Sequence, residues 1–274
     1  MNEERVMEKR GMEKSPEAKK LMFSILLALA AMVSLVAASV AWFTIADFTK
    51  VHSMSMDITS GTNLRFDLDA HDTFEEYVKT LNFNQIAARM LREKGYDMRV
   101  TPIEPVTTED YVTFRYEDGT VVEAGSGAYL EFVLHFYATE DMLVHLTSVG
   151  TQGGQGTGVS SSNGNLPKAM RISFTADDTT YVYDPGLGDE LVKGKHGRIF
   201  GLPRAEDMVL NQNNQMFWLE KNQDKPVTVH VWLEGTDEAC TDKLRKADYA
   251  ISLRFVGTDE NNNILDGARK GTEE

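Results

Sequence analysis

Alternation with a period of two runs through most of this chain and limits what it can fold into. In "AYLEFVLHFYA" (128–138), Leu130, Phe132, Leu134 and Phe136 fall on one side, and Glu131 and His135 on the other. "MSMDI" aligns Met54, Met56 and Ile58; "NLRFDLD" aligns Leu64, Phe66 and Leu68. "MLVHLTS" aligns Met142, Val144 and Leu146, and "AMRISFT" aligns Met170, Ile172 and Phe174. "VTVHVWLEG" sets Val227, Val229, Val231 and Leu233 against Thr228, His230 and Trp232. "DYAISLRFVG" sets Tyr249, Ile251, Leu253 and Phe255 against Ser252 and Arg254. Side chains alternate faces along a strand, so each segment predicts a strand with one apolar and one wet face. With "TTYVYDPG" and the Asp118-Gly119 hairpin signal, about ten strands result. The expected fold is all-β: an antiparallel β-sandwich, jelly-roll-like.

Two stretches break the pattern. "TFEEYVKTL" spaces Phe74, Tyr77, Val78 and Leu81 helically, and "QIAARMLREKG" continues with Ile86 and Met90 before Gly95. This predicts two short helices within an insertion at 72–95. Residues 150–165, "GTQGGQGTGVSSSNGN", carry no charge and read as a flexible loop.

Leu21–Ala46 is uncharged for 26 residues, with Lys19 and Lys20 directly before it. A helix of roughly 20 apolar residues crosses a bilayer core, and positive flanks stay inside. Residues 1–20 then form a cytoplasmic leader, 21–43 a signal peptide or a signal-anchor transmembrane helix, and 47–274 an extracellular domain. Small residues at Ser39 and Ala41 predict cleavage before Trp42 by a signal peptidase. Trp42 and Phe43 equally suit the interfacial end of a retained anchor. The protein is thus expected at the cell surface, in an extracellular matrix, or in the membrane with its N-terminus inside.

The net charge is −14. The leader's six basic and five acidic side chains give it +1, which leaves −15 on the remainder. Such a body repels phosphate backbones and excludes nucleic acid as a partner class. The single cysteine, Cys240, excludes an internal disulfide framework and reads as a small buried side chain.

An apolar helix, then "AWFT", then an acidic β-rich body resembles the TasA/camelysin group of Gram-positive bacteria. Those are exported biofilm-matrix and surface-fibre proteins. "VHVWLEGTDEAC" (229–240) is similar to a segment of Gram-positive surface proteins of this N-terminal type. The resemblance implies cleavage near the aromatic pair, freeing a segment that completes the sheet of the next subunit. Here that segment would run from Trp42 to about Ile58, with Phe48, Met54, Met56 and Ile58 in one phase. Lys50 and His52 share that phase, which argues against the register. If Met54–Ile58 pairs within its own subunit, assembly rests on Trp42–Thr49.

No recognisable catalytic set emerges. The six histidines do not form HExxH, and no GxSxG occurs, so the chain reads as non-enzymatic and without a cofactor. His135 and His145 are expected on wet faces of neighbouring strands. The acidic turn "EGTDEACTD" offers Glu234, Asp237, Glu238 and Asp242 as oxygen ligands for calcium, or serves as a solvated turn. Two functions follow. One is a surface or matrix structural protein that self-associates into oligomers or fibres by N-terminal strand addition. The other is a membrane-anchored sandwich that binds a glycan, peptide or ion through its loops.

Overall fold

A computed structural model of the chain describes residues 20, 22–32, 50–60, 63–151, 154–244 and 247–265. The chain divides into two units, Met1–Trp42 and Phe43–Glu274. In the first, residues 22–32 form helix α1. Among the described residues no helix is long and apolar enough to cross a membrane.

The second unit is mainly β, in two sheets. Sheet A holds β1 (Lys50–Ser60), β3 (Thr80–Asn82), β7 (Met142–Leu146), β8 (Gly158–Ser161), β13 (Gln215–Leu219) and β15 (Asp248–Thr258). Its order is β13-β7-β15-β1-β3, with β8 beside the other half of β15. Sheet B runs β11 (Leu191–Lys193), β12 (Gly197–Phe200), β10 (Thr179–Tyr183), β9 (Met170–Ala176), β14 (Lys225–Glu234). Beyond β14 it forks, to β6 (Leu130–Ala138) and β2 (Leu64–Asp67), and to β4 (Pro105–Thr108) and β5 (Phe114–Arg115).

The sheets are mixed, which corrects the wholly antiparallel expectation. β1 runs parallel to β15, β10 to β12, and β4 to β14. Parallel neighbours need a long connection. For β1 and β15, almost the whole body is that connection.

The sheets meet on the predicted apolar faces. Phe255 of β15 lies 5.7 Å from Phe66, 5.2 Å from Phe136 and 5.9 Å from Phe174 of sheet B, ring centre to ring centre. These are edge-on contacts, the geometry that aromatic quadrupoles favour. Met54, Met56 and Leu130 through Phe136 at every second position join the same core.

Both central strands depart from the one-wet-face rule. His230 and Trp232 were expected in water but are buried. A second core of Val106, Tyr111, Phe114, Val122, Tyr129 and Val182 covers that face of β14. Ser252 and Arg254 of β15 are buried as well.

Of the expected insertion helices, only α2 (Phe83–Lys94) forms. Asn82 Oδ1 accepts hydrogen bonds from the backbone of Asn84 and Gln85, and Gln85 Oε1 accepts from Asn82 N. This reciprocal cap satisfies orphan donors of the first turn. Gly95, at φ +79°, ends the helix. Upstream, Phe74–Glu76 make one 3-10 turn. Val78 exchanges two backbone hydrogen bonds with Phe66, and Thr80–Asn82 pair with β1. Sheet pairing thus overrides the helical spacing there. Within 150–165, β8 pairs with β15, and Leu166–Ala169 follow as the single turn α3. Thr157 Oγ1 accepts from Arg254 N at 2.8 Å, which pins the entry to β8.

Candidate functional site

Among the described residues the first strand, β1, lies between β15 and the short edge strand β3. β1 pairs with β15 through nine register positions, from Lys50 opposite Asp248 to Ser60 opposite Val256, and β3 flanks Ser55–Asp57 on the other side. Met54, Met56 and Ile58 are buried in their own chain's core. They are therefore not a free strand within this fold. Of the expected assembly strand, Phe48 lies outside the described residues, as do the processing residues Ser39, Ala41 and Trp42.

The conflict of phase at Lys50 and His52 has a physical resolution. The register slips between Val51 and Ser53. An extra residue in a strand flips the facing of everything beyond it. Val51 is buried and His52 is exposed, so the histidine stays out of the core while Met54 enters it.

His52 leans over an open cleft of about 370 Å³ lined by Ser160, Ser161, Ser162, Asp248, Tyr249 and Ala250. Asp248 and Ala250 belong to β15, and Ser160 lies opposite Ala250 on β8. Three sequence-distant elements thus bring hydroxyls, an imidazole and a carboxylate to one place. Sequence reasoning missed this cleft because no short-range spacing links residues 52, 160 and 248.

Two carboxylates of the acidic turn, Asp237 and Glu234, are engaged by the fold. Asp237 Oδ2 accepts from Arg171 at 2.6 Å, and its Oδ1 accepts from Ala239 N. Arg171 also reaches Asp184 at 3.1 Å. Glu234 accepts from the indole of Trp232 at 2.9 Å and from Thr236. Glu238 follows both in the same turn and is exposed. Asp242 opens a 3-10 turn at Asp242–Leu244. Among the described residues no three His, Cys, Asp or Glu side chains are grouped to hold a metal ion.

The structure separates His135 and His145, which corrects their expected approach. They sit in different sheets. His135 Nδ1 bonds Asp224 at 2.8 Å, and Asp224 also accepts from Tyr77 at 2.7 Å. Burial first, then that contact with Asp224, pushes the Tyr77 phenol up to about 12. His145 is fully buried rather than wet. Its Nδ1 lies 3.0 Å from Asn214 Oδ1 and its Nε2 3.0 Å from Thr258 Oγ1.

A row of Ser173, His230 and Glu131 crosses β9, β14 and β6 in register. Ser173 Oγ is 3.5 Å from His230 Nδ1, and His230 Nε2 is 3.4 Å from Glu131. Ser173 is completely buried, and 3.5 Å exceeds the reach at which a base activates a hydroxyl. Phe114 and Tyr129 pack on the imidazole. The row runs from the buried Ser173 and His230 to Glu131, whose side chain is about one-third exposed. The hydrogen bond with His230, helped by Lys94, holds the Glu131 carboxyl down at about 2.

No family model, curated protein or solved structure matches the chain.

Proposed function

We propose that this chain is a non-enzymatic structural subunit of a bacterial surface or matrix, exported and self-associating by N-terminal strand addition. The observation that carries the reading is the place of β1. The first described strand joins the last in parallel within sheet A, along nine register positions. Residues 42–49 lie directly upstream of it in the sequence and carry Trp42, Phe43, Ile45 and Phe48 as apolar side chains. An extended segment of this kind gains affinity from the backbone and specificity from alternate side chains. The resemblance of "AWFT" and the acidic β-rich body to the TasA/camelysin group supports the same reading. With Met54–Ile58 seated in cis, Trp42–Thr49 is the segment available for a neighbour.

The test is the N-terminal residue of protein recovered from membrane and extracellular fractions, with sedimentation of each. A start at Trp42 in material that sediments as fibres supports the reading. An intact Met1 confined to membranes overturns it.

One observation favours a second reading, a tethered binding domain. The cleft of His52, Ser160–Ser162 and Asp248 offers donors and acceptors suited to a hydroxyl-rich ligand such as a glycan. Saturable glycan binding lost in His52→Ala would establish it.

A further inference from the structure

Where would an added strand dock? A sheet edge invites pairing unless charge, proline or cover protects it. Most edges here are protected. β11 is bracketed by Asp189, Glu190, Lys193 and Lys195. β5 carries Arg115 and leads into Glu117 and Asp118. The outer side of β2 is taken by Val78. β3 is three residues long and leads straight into α2. β8, with sequence GVSS, offers one apolar side chain.

β13 differs. Among the described residues it ends sheet A, paired with β7 alone. Residues 208–219 contain no charge, and neither do residues 142–167, which include β7 and β8. In a chain of net charge −14 these stretches add no negative charge, and the Arg198 guanidinium bonds Gln212 O beside them, so two copies approach here with little repulsion. The strand reads QMFWL, and its register slips between Gln215 and Trp218. From Trp218 the pairing is regular: Trp218 faces Leu143, Leu143 faces Thr258, and Thr258 faces Ile264. Cross-strand partners share a face. Trp218 is 37% exposed and Ile264 47%, with Leu143 half-buried between them. An open edge with no charge of its own therefore adjoins a row of Trp218, Leu143, buried Thr258 and Ile264, headed by a tryptophan.

We propose that the free edge of β13, with Trp218 as its anchor, is the acceptor for residues 42–49 of a second copy of this chain. The inference rests on the self-association reading above and names its missing half. The eight residues of "WFTIADFT" exceed the five of β13 and bring one charge, Asp47, to an edge that has none. Trp218 supplies the kind of aromatic contact that dominates small interfaces.

The experiment uses the exported protein beginning at Trp42, read by analytical ultracentrifugation. Three variants are compared: Trp218→Lys, deletion of 42–49, and Val133→Lys as a control on the exposed face of sheet B. Trp218→Lys is expected to raise the concentration needed for assembly by about tenfold or more, and the control to leave it unchanged. Trp218→Lys keeps the donor and lacks the acceptor; the deletion does the reverse. Each alone is expected to be monomeric, and an equimolar mixture to form heterodimers and stop there. The heterodimer also shows that both variants are folded. Assembly that survives Trp218→Lys but not the deletion overturns the acceptor and leaves self-association standing. Monomeric variants that form no heterodimer also overturn the acceptor. A wild-type protein that stays monomeric overturns both.

Discussion

Arg171 and Asp237 meet at 2.6 Å, and the same guanidinium nitrogen reaches Asp184 at 3.1 Å. All three side chains are largely shielded from water. Burial raises the Asp184 carboxyl above its usual range, and the arginine opposes that rise. One cation therefore keeps two carboxylates tolerable where the end of β14 meets the start of β9. Arg171→Met is expected to destabilise the domain by about 2–4 kcal/mol, because it strands two partly buried charges. Urea denaturation at pH 7 measures this. Adding Asp184→Asn and Asp237→Asn to Arg171→Met is expected to recover most of the loss.

Acid should expose the contribution of Glu131. Its carboxyl is held at about 2 by His230 and Lys94, against an ordinary value near 4.3. A group whose folded value is depressed stabilises above its unfolded value and loses that contribution as pH falls through the folded one. The window is therefore from about 4.5 down to about 2. The side chain is about one-third exposed, so solvent screening reduces the effect to about 1–2 kcal/mol. Urea midpoints of wild type should fall across this window, and those of Glu131→Gln should change less.

Neutral His145 is a structural bolt. Asn214 Nδ2 donates to Val209 O at 2.8 Å, so its Oδ1 faces the ring and Nδ1 carries the proton. The Thr258 hydroxyl then donates to Nε2. Burial lowers the imidazole below its ordinary value. Its contribution is fully present above about 6.5 and declines as pH falls below that. His145→Leu should cost about 2–3 kcal/mol by orphaning Asn214 and Thr258, and should remove the decline. Thermal unfolding at pH 7.5 and 5.5 distinguishes the two.

Cys240 should be inert in the native state. Burial first, then Asp237 and Glu234, push its thiol up to about 12. Only the thiolate attacks, so labelling by a disulfide reagent at pH 8 should be slower on the order of 100-fold than in urea. Rapid native labelling, or a disulfide-linked dimer on a non-reducing gel, would contradict this.

The core was legible wherever a strand buries one face. Met54, Met56, Ile58, Leu64, Phe66 and the inward set of β6 all sit where alternation puts them. Alternation failed on β14 and β15 because both faces of those strands are covered. There the polar residues are accommodated inside, His230 by Ser173 and Glu131, and Arg254 through Asp57 at 3.9 Å and backbone contacts. Helical spacing failed at 74–81, where backbone pairing to Phe66 and β1 outweighs a short amphipathic pattern. The parallel union of β1 and β15 leaves no local trace, because Lys50 and Asp248 find each other only in space. The cleft at His52 and the open edge at Trp218 were hidden for the same reason.

That union also sets an order of events. A chain emerging N-terminus first presents Met54, Met56 and Ile58 long before residues 248–258 exist to receive them. Such distant pairing makes closure of the sheet a late and slow step. Until then the first strand waits with its apolar face uncovered, in need of a holding partner. A truncation that removes β15 should leave no stable half-domain, only a chain prone to capture by whatever strand arrives first.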